Sequence, residues 1–268
     1  MAKLGVDEEA AICGVISDLD GVAYRGDEPI ADSVAAFRAW QARGVPYAFV
    51  TNNSTMTSAQ FAAKLGRMGV PATAAQVFST IGATASFLAQ HWPAGARVFA
   101  IGERPLLDAL AERGFQAAED AEVVVLGFDS QLSYAKLRTA VRAALGGATI
   151  VVTNPDVLTP THDGFDPCVG AVAAAVMAAA PAARQIVVGK PQPLMIEQAL
   201  AHIGTAKSHT IMIGDQVDTD IVAGQRAGLH SVLLGSAMPS NGLSRATPDR
   251  TVSSLLELVD PRSRKASA

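Results

Sequence analysis

Apolar residues come in short blocks along this chain, each closed by a polar cluster, and the period within successive blocks alternates between that of a buried strand and that of a helix. The run 11–16, Ala-Ile-Cys-Gly-Val-Ile, is apolar on both faces and predicts a fully buried strand that ends at Asp18 and Asp20. Val34, Phe37 and Trp40 then share one face of a helix, Gly44 and Pro46 mark the return, and 47–50 reads as a strand running into Thr51-Asn52-Asn53-Ser54. Phe61, Leu65 and Met68 predict a second helix closed by Gly69, and a third covers 83–91. Towards the end, Ile186-Val187-Val188 leads into Gly189-Lys190-Pro191, and 210–213 into Gly214-Asp215. Such alternation predicts an α/β fold with a mostly parallel, helix-covered sheet.

The middle of the chain reads as a smaller α/β unit of its own. Strands are predicted at 98–101, 123–126 and 150–152, with one helix ending near Gly114 and another opening at Ser133 whose Leu137, Val141 and Leu145 share a face. The expected organisation is a discontinuous outer domain, 1–91 and 184–268, interrupted by an inserted domain, 92–183. From Ser236 the sequence turns polar, and 262–265 reads as a solvated tail.

Composition narrows the class. With 268 residues, 49% hydrophobic and 17% charged, the chain can bury a large core. A net charge of -4 argues against broad attraction to nucleic acid or to acidic membranes. The longest apolar stretch, 171–180, is too short to span a bilayer, and 1–9 is acidic with no signal-like apolar region, so a soluble cytoplasmic protein is expected. Cys13 and Cys168 do not make a disulfide framework and read as small apolar fillers.

Chemistry enters at the polar ends of the strands. Asp18 and Asp20 are two apart on an extended chain, so their carboxylates share a face within roughly 7 Å. Like charges 4 Å apart cost about 4 kcal/mol at a surface-like dielectric, which calls for a cation between them or a proton on one. Open parallel sheets bind ligands at the carboxyl ends of their strands, where Asp18, Asp20, Thr51, Asn52, Lys190 and Asp215 all fall. Such hard oxygen donors suit Mg²⁺, and a metal beside a lysine suits a phosphate ester. The alternatives from the residues alone are an acidic turn at Asp18 and Asp20, turn chemistry at Thr51-Asn52-Asn53, an exposed turn lysine at Lys190, and helix capping by Asp215 and Asp220.

Taken together, Asp18-Leu-Asp20-Gly21-Val22, Thr51-Asn52-Asn53, Gly189-Lys190-Pro191 and Gly214-Asp215-Gln-Val-Asp-Thr219-Asp220-Ile221 resemble, in order, the four signature motifs of haloacid-dehalogenase-like phosphatases. The middle unit, with Thr153-Asn154-Pro155-Asp156 and Pro167-Cys-Val-Gly170-Ala171, is similar to the cap of the NagD-like, or p-nitrophenylphosphatase-like, branch. Ala23 departs from the pattern, since many relatives carry a larger apolar residue there. The resemblance implies a three-layer α/β/α Rossmann-like core with an inserted α/β cap. It also implies Asp18 as the nucleophile, forming an aspartyl-phosphate and binding Mg²⁺, and Asp20 as the acid and then base, with its backbone carbonyl on the metal. Asp215 would complete the metal ligands and Asp220 would orient metal-bound water, while Asp218 would be solvated. Gly21, Thr51, Asn52, Asn53 and Lys190 would hold the phosphoryl oxygens, Gly21 by leaving room for close approach of the backbone. In the cap, Asn154, Asp156 and His162 would lie near the leaving group.

The implied function is a Mg²⁺-dependent phosphomonoesterase acting on a small phosphorylated metabolite, such as a sugar phosphate or a nucleoside monophosphate. The partner is then a small-molecule phosphate ester, with no nucleic acid and no membrane, and a homodimer is one option for the assembly. A phosphotransferase or mutase using the same aspartyl-phosphate, and a non-catalytic phosphometabolite-binding protein, are the alternatives.

Overall fold

Five parallel strands stand side by side in the order Arg250–Val252, His230–Leu234, Thr210–Gly214, Gly14–Ser17 and Tyr47–Thr51. The three in the centre of this row and Tyr47–Thr51 are buried almost throughout, as strands covered on both faces must be. In the computed structural model, residues 12–161, 164–235 and 246–259 are described, and they pack as two compact units. The first holds 12–50, 65–72, 196–235 and 246–259, and the second holds 51–64, 73–161 and 164–195. His162, the stretch from Ser236 and the tail at 262–265 lie wholly or partly outside the described residues.

In the first unit, the helix Ala31–Ala42 buries Phe37 and Trp40 as the spacing predicts. The Phe37 ring lies 4.9 Å from Phe49, 5.4 Å from Tyr47 and 5.3 Å from Trp40, so one aromatic cluster ties this helix to the strand that follows it. The first strand begins later than the apolar run suggested. It starts at Gly14, and Cys13 is exposed rather than a buried filler, because it stands just outside the ladder with its amide donating to the His209 carbonyl at 2.9 Å. Beyond Asp18 the chain folds into a tight turn and a two-stranded ribbon, Tyr24–Arg25 with Glu28–Pro29, in which Ala23 and Tyr24 are fully buried.

The second unit carries its own parallel sheet, in the order Gln185–Val187, Thr149–Val152, Val123–Leu126, Arg97–Ile101 and Gln116–Ala117. The strand expected at Ile186 to Val188 is therefore a member of this sheet, which runs past the expected limit at residue 183. A three-residue apolar run carries no signal for which of two sheets it will join. Ser133 caps the helix Tyr134–Leu145 by accepting from the Lys136 amide at 3.3 Å, as expected. Its buried positions are Ala140, Ala143 and Ala144; Leu137 and Val141 of the predicted stripe pack against that core half-buried, and Leu145, 66% exposed, is the member that departs from it. Small residues win that face because the helix Val169–Ala179, itself nearly all alanine and valine, packs closely against it. Cys168, buried at the start of that helix, has its thiol pushed up to about 11 by burial. Between that helix and the strand Thr149–Val152 lies an antiparallel pair, Leu158–Thr161 with Gly164–Pro167, for which the sequence predicts no strands.

Candidate active site

Register places the acids. Ser17 sits beside Ile213 on adjacent parallel strands, and the Asp18 amide continues the ladder to the Ile213 carbonyl at 2.8 Å, so Asp18 and Asp215 leave the sheet side by side at its carboxyl edge. Gly21 has φ +83°, and a Cβ built on it would lie 2.1 Å from Oδ2 of Asp215. In this structure the bare glycine thus makes room for a carboxylate of the fourth motif. Gly214 does the same for Asp220, whose Cβ would lie 2.1 Å from a Cβ at 214.

Asp220 reaches this point through a π-helical turn, Val217–Ile221, in which the Gln216 carbonyl accepts from the amides of Asp220 (3.0 Å) and Ile221 (3.3 Å). One of its oxygens also accepts from the Gln216 amide at 3.1 Å. The outcome is that Asp18, Asp215 and Asp220 each offer a carboxylate oxygen within 4.8 Å of the others. Asp18 is 7% and Asp220 1% exposed. Asp218, expected to be solvated, is half-buried, with one oxygen closed off from solvent. Asp20 points outward from the same turn, and its Oδ2 accepts from the Tyr24 hydroxyl at 3.2 Å.

Three carboxylates this close, two of them buried, repel by several kcal/mol, on the order of 4 per pair at 4 Å. Protons or a cation must offset that repulsion, and an all-oxygen acidic donor set at the end of a sheet is what a hard divalent ion such as Mg²⁺ prefers. The donor chemistry fits the metal that the sequence motifs imply.

In the second unit the polar residues form one hydrogen-bonded group around Asn52. Its side-chain oxygen accepts from the Lys190 amide at 2.8 Å, while its side-chain nitrogen donates to the Lys190 carbonyl at 3.0 Å and to Asp156 Oδ2 at 3.1 Å. The Asn52 carbonyl accepts from Asn154 Nδ2 at 2.8 Å and from Thr80 Oγ1 at 3.1 Å. Asn154 Oδ1 in turn accepts from the Asp156 amide at 3.1 Å. Thr51 Oγ1 accepts from the Asn53 amide at 3.1 Å, and Asn53 Oδ1 accepts from the amide and hydroxyl of Thr55 at 2.9 and 2.7 Å. Lys190 is only 2% exposed, and a lysine that deep keeps its charge only among acceptor oxygens. Asn52, the Asn154–Asp156 pair and Lys190, read from three separate motifs, are thus neighbours.

Sequence reasoning missed two members of these groups. Thr80 gives no signal beyond being a threonine at a helix start. Tyr24 gave a faint one, as a ring with a polar tip four residues after Asp20 in a turn that otherwise carries small or charged residues.

Comparison with known proteins identifies the family. A family model described as haloacid dehalogenase-like hydrolase matches residues 15–116, and a second, HAD-hydrolase-like, matches 187–258. The chain is 39% identical to the 5'-nucleotidase YutF of Bacillus subtilis over 82% of this chain and 86% of that protein. It is 37% identical to an acid sugar phosphatase of Staphylococcus aureus over 80% of this chain and 83% of the relative. Among solved structures, p-nitrophenyl phosphatase from Archaeoglobus fulgidus superposes with a TM-score of 0.85 at 29% identity, covering 93% of this chain and 98% of that one. The chain belongs to the haloacid dehalogenase-like hydrolases, in their NagD-like, p-nitrophenylphosphatase-like branch of phosphatases.

Proposed function

We propose that this chain is a Mg²⁺-dependent phosphomonoesterase of the cytoplasm that hydrolyses a small phosphorylated metabolite through an aspartyl-phosphate on Asp18. The observation that carries the reading is the meeting of the Asp18, Asp215 and Asp220 carboxylates at the end of a parallel sheet. The names of the relatives, a 5'-nucleotidase and an acid sugar phosphatase, support nucleoside monophosphates and sugar phosphates as the substrate class.

On this reading, an Asp18 oxygen forms a bond to phosphorus as the bond from phosphorus to the leaving oxygen breaks, and Asp20 gives its proton to that oxygen. Asp20 then takes a proton from water, whose oxygen attacks the phosphorus and releases inorganic phosphate, restoring Asp18. Thr51, Asn52, Asn53, Lys190 and the main chain near Gly21 hold the phosphoryl oxygens as charge shifts between them. Asp18, the Asp20 carbonyl and Asp215 would hold Mg²⁺, with Asp220 beside them. Bound there, the ion neutralises charge that would otherwise keep a phosphate dianion from an acidic pocket. The segment 92–183 serves as the cap, from which Asn154, Asp156 and, outside the described residues, His162 would contribute to substrate specificity.

Asp18→Asn tests the assignment. Phosphate release from a panel of sugar phosphates and nucleoside monophosphates should fall by about a thousandfold or more while the circular dichroism spectrum is unchanged. Release at a near wild-type rate would overturn it.

A further inference from the structure

We propose that Tyr24 is a positioning residue that holds the Asp20 carboxylate in its proton-transfer orientation, an inference that rests on the reading of Asp20 as acid and base. Asp20 sits at an exposed position, where fixing an aspartate side chain in one rotamer costs conformational entropy. Tyr24 is fully buried, and its hydroxyl donates to Asp20 Oδ2 at 3.2 Å. The base of the ring is clamped by the main chain of the same turn. The Tyr24 carbonyl accepts from the Gly21 amide at 2.8 Å, the Leu19 carbonyl accepts from the Ala23 amide at 2.8 Å, and Asp20 and Tyr24 form a backbone bridge. A rigid donor therefore meets a carboxylate on an exposed turn.

The consequence is a division of labour between the two oxygens of Asp20. The phenol sits on Oδ2, and the inference assigns to Oδ1 the proton that goes to the leaving oxygen and the one later received from water. Burial, and then the charges of Asp20 and Asp18, raise the Tyr24 hydroxyl far above the ordinary tyrosine range, so the phenol remains a donor. Preorganisation of this kind matters because proton transfer requires the acid within hydrogen-bond reach of one atom, and looseness in that geometry lowers the rate.

A merely structural tyrosine would affect all substrates alike, whereas a positioning one would not. The Mg²⁺-loaded full-length protein is assayed as wild type, Tyr24→Phe and Asp20→Asn, with p-nitrophenyl phosphate, whose leaving group departs unaided, and glycerol phosphate, whose alcohol needs a proton. Because kcat/KM reports the steps up to leaving-group departure, the ratio of its values for glycerol phosphate and p-nitrophenyl phosphate should fall about tenfold in Tyr24→Phe and further in Asp20→Asn. Replacing Tyr24 with 4-aminophenylalanine, which keeps a ring donor, should restore most of the ratio, and this variant carries the test if Tyr24→Phe does not fold. An unchanged ratio in Tyr24→Phe beside a depressed one in Asp20→Asn, or no recovery with the amine, would overturn the role of Tyr24. An unchanged ratio in Asp20→Asn would overturn the reading of Asp20 itself, and the proposal with it.

Discussion

A single methyl group added at Gly21 would meet a carboxylate oxygen of Asp215 at 2.1 Å, on a backbone whose φ of +83° is already unfavourable for any side chain. The backbone term alone is about 1–2 kcal/mol. The displaced carboxylate belongs to the acidic trio, so Gly21→Ala should weaken Mg²⁺ affinity and phosphatase rate by about 10- to 100-fold, checked by metal titration of rate and of thermal stability. Retention of wild-type affinity would mean that Asp215 moves aside without penalty. At this scale much of the site was legible. Asp18, Asp215 and Lys190 are charged residues placed directly after apolar runs, and few structural needs put them there. Tyr24 was not, because an aromatic residue beside a turn reads as core and only coordinates reveal where its hydroxyl points. The packing of Asp215 against Gly21 was hidden for a similar reason. Contacts between distant motifs leave no mark in either one.

Helices and strands were recovered where their periodicity is strong and misread where it is weak. Phe37 was placed correctly because the spacing of Val34, Phe37 and Trp40 admits one face only, and its ring touches Trp40, Tyr47 and Phe49. Truncation to alanine should cost about 3–5 kcal/mol, read as a shift in the urea midpoint with little change in slope. A cost under about 1 kcal/mol would show that the cluster collapses around the gap. The ribbon Leu158–Thr161 with Gly164–Pro167 escaped notice because two prolines and an exposed second strand give it neither an apolar face nor an alternating pattern. The π-helical turn at Val217–Ile221 is likewise silent in sequence, and it is what brings Asp220 under Gly214.

At the level of the whole molecule, two parallel α/β sheets agree with the alternation of apolar blocks, while the strand Gln185–Val187 shows that alternation cannot say where one sheet stops recruiting strands. If an ion neutralises the Asp18, Asp215 and Asp220 carboxylates, it binds the folded chain far better than the unfolded one. A hundredfold excess over Kd would then add about 2.7 kcal/mol of stability. Mg²⁺ should therefore raise Tm, a chelator should reverse the rise, and Asp215→Asn should abolish it; a Tm indifferent to Mg²⁺ in the wild type would remove the ion from the account. The strand that carries Asp18 into place pairs with Thr210–Gly214, so the acidic trio joins residues from two segments far apart in the sequence. A chain still emerging from the ribosome must hold Gly14–Ser17 without that neighbour until Thr210–Gly214 has been made, and a message cut short between the two strands yields a product that lacks the Asp215 and Asp220 carboxylates.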